Sequence, residues 1–296
     1  MGSAHLNNKI VAIGGGHGLS RVLSSLSEST QQVSAIVATT DNGGSTGKLR
    51  QEFGGIAFGD IRNCLSHLVD DNHLGKLLLD YRFEENSPMA GHNLGNLMLL
   101  ALDNLCVTPS DAIELLSRLL GVEQSLLPMS DQAVHLKAHY ASGDTITGET
   151  AIDSAPKLPL KLSLTPQVPA CESALKELSE ADCVLIGPGS IMTSVMPSLL
   201  VPEIASTIVE CKIPVLWIAN LAKESSPIGA LTLEQQKQFI ESQTGVTITT
   251  VLAHGDHERI SSSQILTPLT EPQTPYHHLD NLSRTIIHWA NNVTRT

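Results

Sequence analysis

The segment that most constrains this chain is 9–38. A short apolar run, Ile10 to Ile13, closes on Gly14-Gly15-Gly16-His17-Gly18. Apolar residues then recur at Leu19, Val22, Leu23 and Leu26, and a second β-branched run covers Val33 to Ala38. Spacings of three and four specify a helix, so the order is strand, glycine turn, helix, strand. Such a unit has a right-handed crossover and parallel strands. Downstream the rhythm returns. A helix is expected over 170–178, a buried strand at 183–186 closing on Gly187-Pro188-Gly189-Ser190, strands at 214–219 and 246–252, and helices over 233–244 and 279–291. The predicted fold class is therefore α/β, a Rossmann-like doubly wound, mainly parallel sheet.

Two stretches interrupt the alternation. Residues 41–59 carry six glycines and read as a long loop, of a length that is usually functional or disordered. Residues 60–127 read as a helical insertion, with helices over 61–69, 74–81, 93–105 and 109–120; Pro109 suits a helix start, with Asp111 and Glu114 in its first turn. Residues 128–164 read as a small β unit: a hairpin of 133–140 and 145–149, with a third strand at 158–164. The expected organisation is one α/β domain over 9–296 carrying both, with 1–8 as a disordered terminus.

Composition bounds the partners. Of 296 residues, 41% are apolar and only 3% aromatic, so the core must be aliphatic. Eighteen basic against thirty acidic residues leave a net charge of −12, unfavourable for non-specific binding of nucleic acid or anionic membrane. No apolar run approaches the ~18 residues that span a bilayer, and the amino terminus lacks a charged-then-apolar leader pattern. The five cysteines are odd in number and form no C-x-x-C, as expected of reduced, buried thiols. Together these predict a cytoplasmic protein without membrane insertion. The leucines of the 60–120 helices offer an apolar face for a homodimer.

Candidate ligand contacts cluster at the glycine turns. Gly14, Gly15, Gly16, His17, Gly18 and Leu19 join a strand to a helix, where backbone approach and free N–H groups favour a phosphate over a merely tight turn. Asp41, about 25 residues on, sits where dinucleotide folds place a ribose-binding acid, although Asp-Asn-Gly-Gly is also a turn sequence. Asn42, Gly43, Gly44 and Ser45 begin a stretch that fails as a Walker A loop: Asn42 replaces its first glycine, and Leu49 replaces the Ser/Thr that would hold magnesium. A loop offering amides and hydroxyls to a ligand is the better reading.

Asp60 is either a helix cap or a ligand contact, and Arg62 and Asn63 beside it suit a phosphate or sugar. His92, Asn93 and Asn96 at another helix start must either cap or bind. Gly187, Gly189, Ser190 and Thr193 form a second strand-to-helix anion site, for which a simple turn is the alternative. Asn220 closes a further strand. His135/His139 and His254/His257 have chelating spacing but lack the partners of a zinc site, so surface or satisfied histidines are expected. Asp41 is the only metal-ligand candidate.

Taken together, Ile13-Gly-Gly-Gly-His-Gly-Leu-Ser20, Thr40-Asp-Asn-Gly-Gly-Ser-Thr-Gly-Lys-Leu-Arg50, Gly59-Asp-Ile-Arg-Asn-Cys-Leu65, Gly91-His-Asn-Leu-Gly-Asn-Leu97 and Gly187-Pro-Gly-Ser190 resemble the YvcK/YbhK-type gluconeogenesis factors, the bacterial branch of the CofD-like superfamily. The resemblance covers about residues 9–290 and is weakest after 255. It implies a Rossmann-like CofD fold and a cytoplasmic protein needed for normal growth and cell shape on gluconeogenic carbon sources. It also implies binding of a UDP-sugar, with a nucleotide diphosphate over Gly14–Leu19 and Gly187–Ser190. The enzyme branch transfers a phospho-lactate group from a guanosine diphosphate-type donor with magnesium. Many relatives carry two acids where this chain has Asp41-Asn42, and an amide is the weaker ligand for a hard cation. The readings in order are a UDP-sugar-binding regulator, a magnesium-dependent transferase and, last, a nicotinamide dehydrogenase, disfavoured because the glycines run G-x-G-x-G.

Overall fold

The computed structural model describes residues 8–27, 32–84, 86–255, 263–270 and 277–293. In chain order the strands are β1 (Ile10–Gly14), β2 (Val33–Val37), β3 (Ser125–Pro128), β4 (His135–His139), β5 (Thr145–Thr147), β6 (Lys161–Thr165), β7 (Cys183–Ile186), β8 (Val215–Ile218), β9 (Thr250–His254) and β10 (Gln264–Thr267). The helices are α1 (Gly16–Ser27), α2 (Gly44–Phe53), α3 (Gly59–Leu68), α4 (Leu74–Asp80), α5 (Leu94–Asp103), α6 (Pro109–Leu119), α7 (Glu149–Asp153), α8 (Glu172–Glu180), α9 (Met196–Leu199), α10 (Pro202–Glu210), α11 (Leu233–Thr244) and α12 (Leu279–Asn292).

Seven strands form a parallel sheet in the order β10-β9-β8-β7-β1-β2-β3. The chain runs outward from β1 through β2 to β3, then restarts at β7 on the other side of β1 and runs outward to β10. In register, Ile13 lies between Ile36 of β2 and Ile186 of β7. The order therefore reverses between β1 and β7, and the crevice beyond their carboxyl ends is where open α/β sheets receive ligands.

Period-two alternation sends the central strands into two aliphatic layers. Ile10, Ala12, Leu185, Leu216 and Ile218 pack with Leu19 and Leu23 of α1, Ile61 of α3 and Leu282 of α12. Val11, Ile13, Val184, Ile186, Val215 and Trp217 face the other way, onto Ala174 of α8, Ile204 of α10 and Ile240 of α11. A separate antiparallel sheet, β5-β4-β6, adds Leu136, Ala138 and Leu162 to this second layer. With strands buried on both faces, continuous apolar runs rather than alternating ones are what the sequence must show.

Several expectations need correction. Residues 41–59 contain helix α2 rather than a continuous loop. Two glycines, Gly44 and Gly47, lower its propensity, but packing overrides them: Ser45, Thr46 and Leu49 are buried, and a side chain at Gly47 would run into the carbonyl of Asn42. Strand β3 lies inside the stretch read as helical; it is a four-residue edge strand, too short to show periodicity. The second hairpin strand stops at Thr147, and Gly148, with φ of 98°, turns the chain into α7 instead of continuing through Glu149. β9 begins at Thr250, four residues later than expected, because the N–H groups of Val246 and Ile248 are taken by Thr244 Oγ1 and Glu241 Oε1 at the end of α11. β10 was not anticipated. Apart from Asn8, the segment 1–8 lies outside the described residues. No single helix among the described residues is long and apolar enough to cross a membrane.

Candidate functional site: four helix starts at the strand-order reversal

Gly16 opens α1 with φ of 59°, a conformation glycine adopts without strain. Its N–H donates to the carboxylate of Asp60 in the first turn of α3. A side chain at Gly15 would strike that same carboxylate, and one at Gly18 would strike the carbonyl of Pro188. The glycine turn is thus pressed between the start of α3 and the turn after β7, which explains more glycines than a turn alone requires.

α2 and α5 join the same cluster. A side chain at Gly59, where α3 starts, would meet Thr46 of α2 and lie 3.1 Å from Asp41 Oδ2. The Asn93 N–H donates to Ser45 Oγ (3.1 Å), and Asn96 Nδ2 donates to Thr46 Oγ1 (3.4 Å). Arg62 packs its stem on Gly95 and reaches Asp80 at 3.3 Å. The amino-terminal ends of α1, α2, α3 and α5 therefore converge. Each carries roughly half a positive charge in unpaired N–H groups. The caps of α2 and α3, Gly43 and Phe58, make no side-chain cap bond.

Carboxylates answer this field. Burial of its carboxyl, and then the neighbouring Asp41, push Asp60 up to about 7, against the Gly16 N–H and Arg62, which favour its charged form. Glu149 of α7 accepts from the Thr40 hydroxyl, and burial holds it well above the ordinary range. Arg50 donates to the carbonyls of Thr40 (3.0 Å) and Asp41 (2.9 Å), and also to those of Gly55 and Val134. It clasps the segment after β2 to the segment before β4.

On the β7 side, the N–H groups of Gly189 and Ile191 and the hydroxyls of Ser190 and Thr193 are taken by three side chains. Asn220 Oδ1 accepts the Gly189 N–H (2.9 Å) while Asn220 Nδ2 donates to Gly189 O (2.9 Å). Glu224 accepts the Ile191 N–H (3.1 Å) and Asn220 Nδ2 (3.0 Å). Asp153 accepts the hydroxyls of Thr193 (2.9 Å) and Ser190 (3.4 Å). Between α1 and the loops after β7 and β8 lies an open crevice of about 270 Å³, lined by His17, Gly18, Arg21, Pro188, Asn220 and His277 among others. His17 stands at its rim, edge-on to His67, with its pKa lowered by partial burial, His67 and Arg62. Burial, chiefly, brings His277 down to about 4, against a bond to Ala219 O that favours its charged form.

The chain that builds this arrangement matches a known family over nearly its whole length. Residues 10–289 match the family model described as 2-phospho-L-lactate transferase CofD. The chain belongs to the CofD family. Its relatives include the "Putative gluconeogenesis factor" of Vibrio cholerae, 44% identical over 87% of this chain and 88% of that protein. They also include the "Gluconeogenesis factor" of Halalkalibacterium halodurans, 34% identical over 83% of this chain and 77% of that one. A crystal structure of a UPF0052-family protein from Bacillus halodurans superposes with a TM-score of 0.87 at 30% identity, covering 94% of this chain and 98% of that one. The mostly parallel sheet with flanking helices is thus the CofD architecture, and the branch is that of the gluconeogenesis factors.

Within this CofD fold the sequence-selected residues divide. Gly14 to Gly18, Asp41, Asp60, Ser45, Asn93, Asn96, Gly187, Gly189, Ser190, Thr193 and Asn220 come together around the two turns. Leu19 is core. Asp60 does not cap α3; the cap position is Phe58. Asn93 does cap α5, its Oδ1 accepting the Asn96 N–H. Asn42 is committed to structure: its Oδ1 accepts both the N–H (3.1 Å) and the hydroxyl (3.3 Å) of Thr150 at the start of α7. Asn63 offers its carbonyl to His67, and His92 lies in the loop before α5. His139 bonds to Ser163, and His254 accepts the Leu269 N–H; His257 lies outside the described residues.

Sequence reasoning missed Arg50, Glu149, Asp153, Glu224 and His277. Only Glu224 had a usable signal, since loops following parallel strands line the crevice. Among the described residues no three His, Cys, Asp or Glu side chains are grouped to hold a metal ion. A magnesium ion commonly takes one or two carboxylates and completes its shell with water and phosphate oxygens; here Asp41 and Asp60 are the pair that would face it.

Proposed function

We propose that this protein is a nucleotide-sugar-binding regulator of the gluconeogenesis-factor branch, taking a UDP-sugar in the crevice at the strand-order reversal. The observation that carries this reading is the convergence of four helix starts on the Gly14–Gly18 turn, an electrostatic setting suited to a diphosphate. The neighbouring crevice between His17, Arg21, Asn220 and His277 suits a nucleoside. The biological role in this reading is cytoplasmic, supporting growth and cell shape on gluconeogenic carbon sources. The exposed apolar side chains Leu74, Leu77 and Leu78 on α4 and Tyr81 just after it, with Leu115 and Leu119 on α6, would supply the face of a homodimer in this reading.

The second reading, a phospho-lactate-type transferase, is favoured by the family description and by the Asp41–Asp60 pair. In it magnesium would sit with those two acids and the donor's phosphates, supplying charge neutralisation, while Arg62 steadies the phosphate side.

Calorimetric titration with UDP-N-acetylglucosamine, UDP-glucose, GDP and NAD, with and without magnesium, followed by product analysis, separates the readings. The regulator binds a UDP-sugar saturably and returns it intact, and Gly16→Val, checked for folding by circular dichroism, abolishes binding. Turnover of the ligand, or preference for GDP with magnesium, transfers the conclusion to the transferase. Absence of binding by any nucleotide overturns both.

A further inference from the structure

The turn after β7 has the makings of an anion site, yet anions of the protein's own already occupy it. The Thr193 and Ser190 hydroxyls go to Asp153, and the Ile191 N–H goes to Glu224. Ser190 also approaches Glu224, so two carboxylates crowd one hydroxyl. Asp153 is the removable one. Glu224 is held by Asn220 and Ser226 as well as Ile191, whereas among the described residues the hydrogen bonds of the Asp153 carboxylate are to Ser190 and Thr193.

Asp153 ends α7, a five-residue helix set between β5 and β6 of the small sheet. The rest of α7 is tied to the segment that follows β2: Glu149 to Thr40, Thr150 to Asn42. Ile152 anchors it in the core, while Ala151 and Ser154 are exposed. One short element thus holds both the segment after β2 and the turn after β7 through side-chain hydrogen bonds.

We propose that Asp153 is an internal stand-in for the ligand's anionic group, and that a ligand entering the crevice displaces it from Ser190 and Thr193, so that occupancy is transmitted to α7 and the small sheet. This rests on the nucleotide reading above and names how the same site is regulated. A phosphate cannot share the two hydroxyls with a carboxylate, because like charges at hydrogen-bond range repel strongly. Ligand and Asp153 therefore exclude each other on the turn, and by linkage whatever stabilises the released α7 tightens ligand binding by the same factor.

The test compares wild type with Asp153→Asn, which keeps the shape but removes the charge, and with Thr193→Val, which removes the better hydroxyl. UDP-glucose and inorganic pyrophosphate are the probes in titration calorimetry. Hydrogen exchange is followed in peptides spanning 145–165, and thermal melts check folding. The expected result is that Asp153→Asn binds both probes at least about fivefold tighter, that Thr193→Val weakens them, and that UDP-glucose speeds exchange over α7 in wild type. Equal or weaker binding by Asp153→Asn, with Gly16→Val still abolishing binding, overturns the displacement while leaving the nucleotide reading intact. Slower exchange over α7 on binding also overturns it. If neither probe binds wild type or Asp153→Asn, the nucleotide reading falls and the displacement falls with it.

Discussion

Asp60 is the residue on which most of the site's electrostatics meet. Its folded-state pKa of about 7 lies above the ordinary 3.8. The folded protein therefore binds more protons than the unfolded chain between those values. Its contribution to stability is full below about pH 4 and is lost as pH rises toward 7, a span worth roughly 4 kcal/mol at most. Asp60→Asn should remove that slope: in urea titrations the variant gains on wild type as pH goes from 5 to 8, and an unchanged difference would refute the assignment. His277 works in the opposite direction, losing stability as pH falls from about 6.5 toward 4, which is why the comparison must be made between variant and wild type. Gly18 gives a second residue-scale prediction. An added methyl meets the backbone carbonyl of Pro188, not a flexible side chain, so Gly18→Ala should lower stability by about 1–3 kcal/mol and weaken nucleotide binding, read by denaturation and calorimetry.

At the scale of elements, what was legible was whatever repeats. The β1–α1–β2 unit, β7, β8, α11 and α12 stood out because strands buried on both faces and helices with one apolar stripe leave long, regular signals. α2 was illegible because glycine content argued against a helix that exists through Arg50 and through burial of Leu49. β3 and α7 are four and five residues long, shorter than either period needs to declare itself. The site divides the same way: glycine turns are visible in sequence, while Glu149 and Asp153 reach it from an appended sheet that local pattern cannot position. Arg50 makes the dependence testable. Arg50→Met removes four carbonyl contacts and should cost about 2–3 kcal/mol; hydrogen exchange should rise together in 40–43 and 133–136. A rise in only one of the two segments would show that Arg50 does not clasp them.

For the whole molecule, the two-sided core explains why 3% aromatic content suffices: the layers are built from Ile, Leu, Val and Ala, with Trp217 among the few large side chains fully inside. Among the described residues, five of the twelve exposed large apolar side chains lie on α4 and α6. Leu77 is 67% exposed and Leu74 is 66% exposed, more than scattered surface leucines require. Leu77→Asp should convert a dimer to a monomer in sedimentation velocity without altering the far-ultraviolet circular dichroism; a wild-type protein that sediments as a monomer at 50 µM, a concentration on the order of the weak-dimer range, would remove this face from consideration.

The bond from Asn42 to Thr150 changes how differences among relatives are to be read. A carboxylate at 42 could accept the same N–H and hydroxyl as the carboxamide does, so the joint to α7 is available to either residue. Chains that differ there can therefore keep the same tie between the segment after β2 and α7, and the letter at 42 reports first on a joint in the scaffold. Asn42→Asp should accordingly leave both stability and nucleotide affinity within about twofold of wild type.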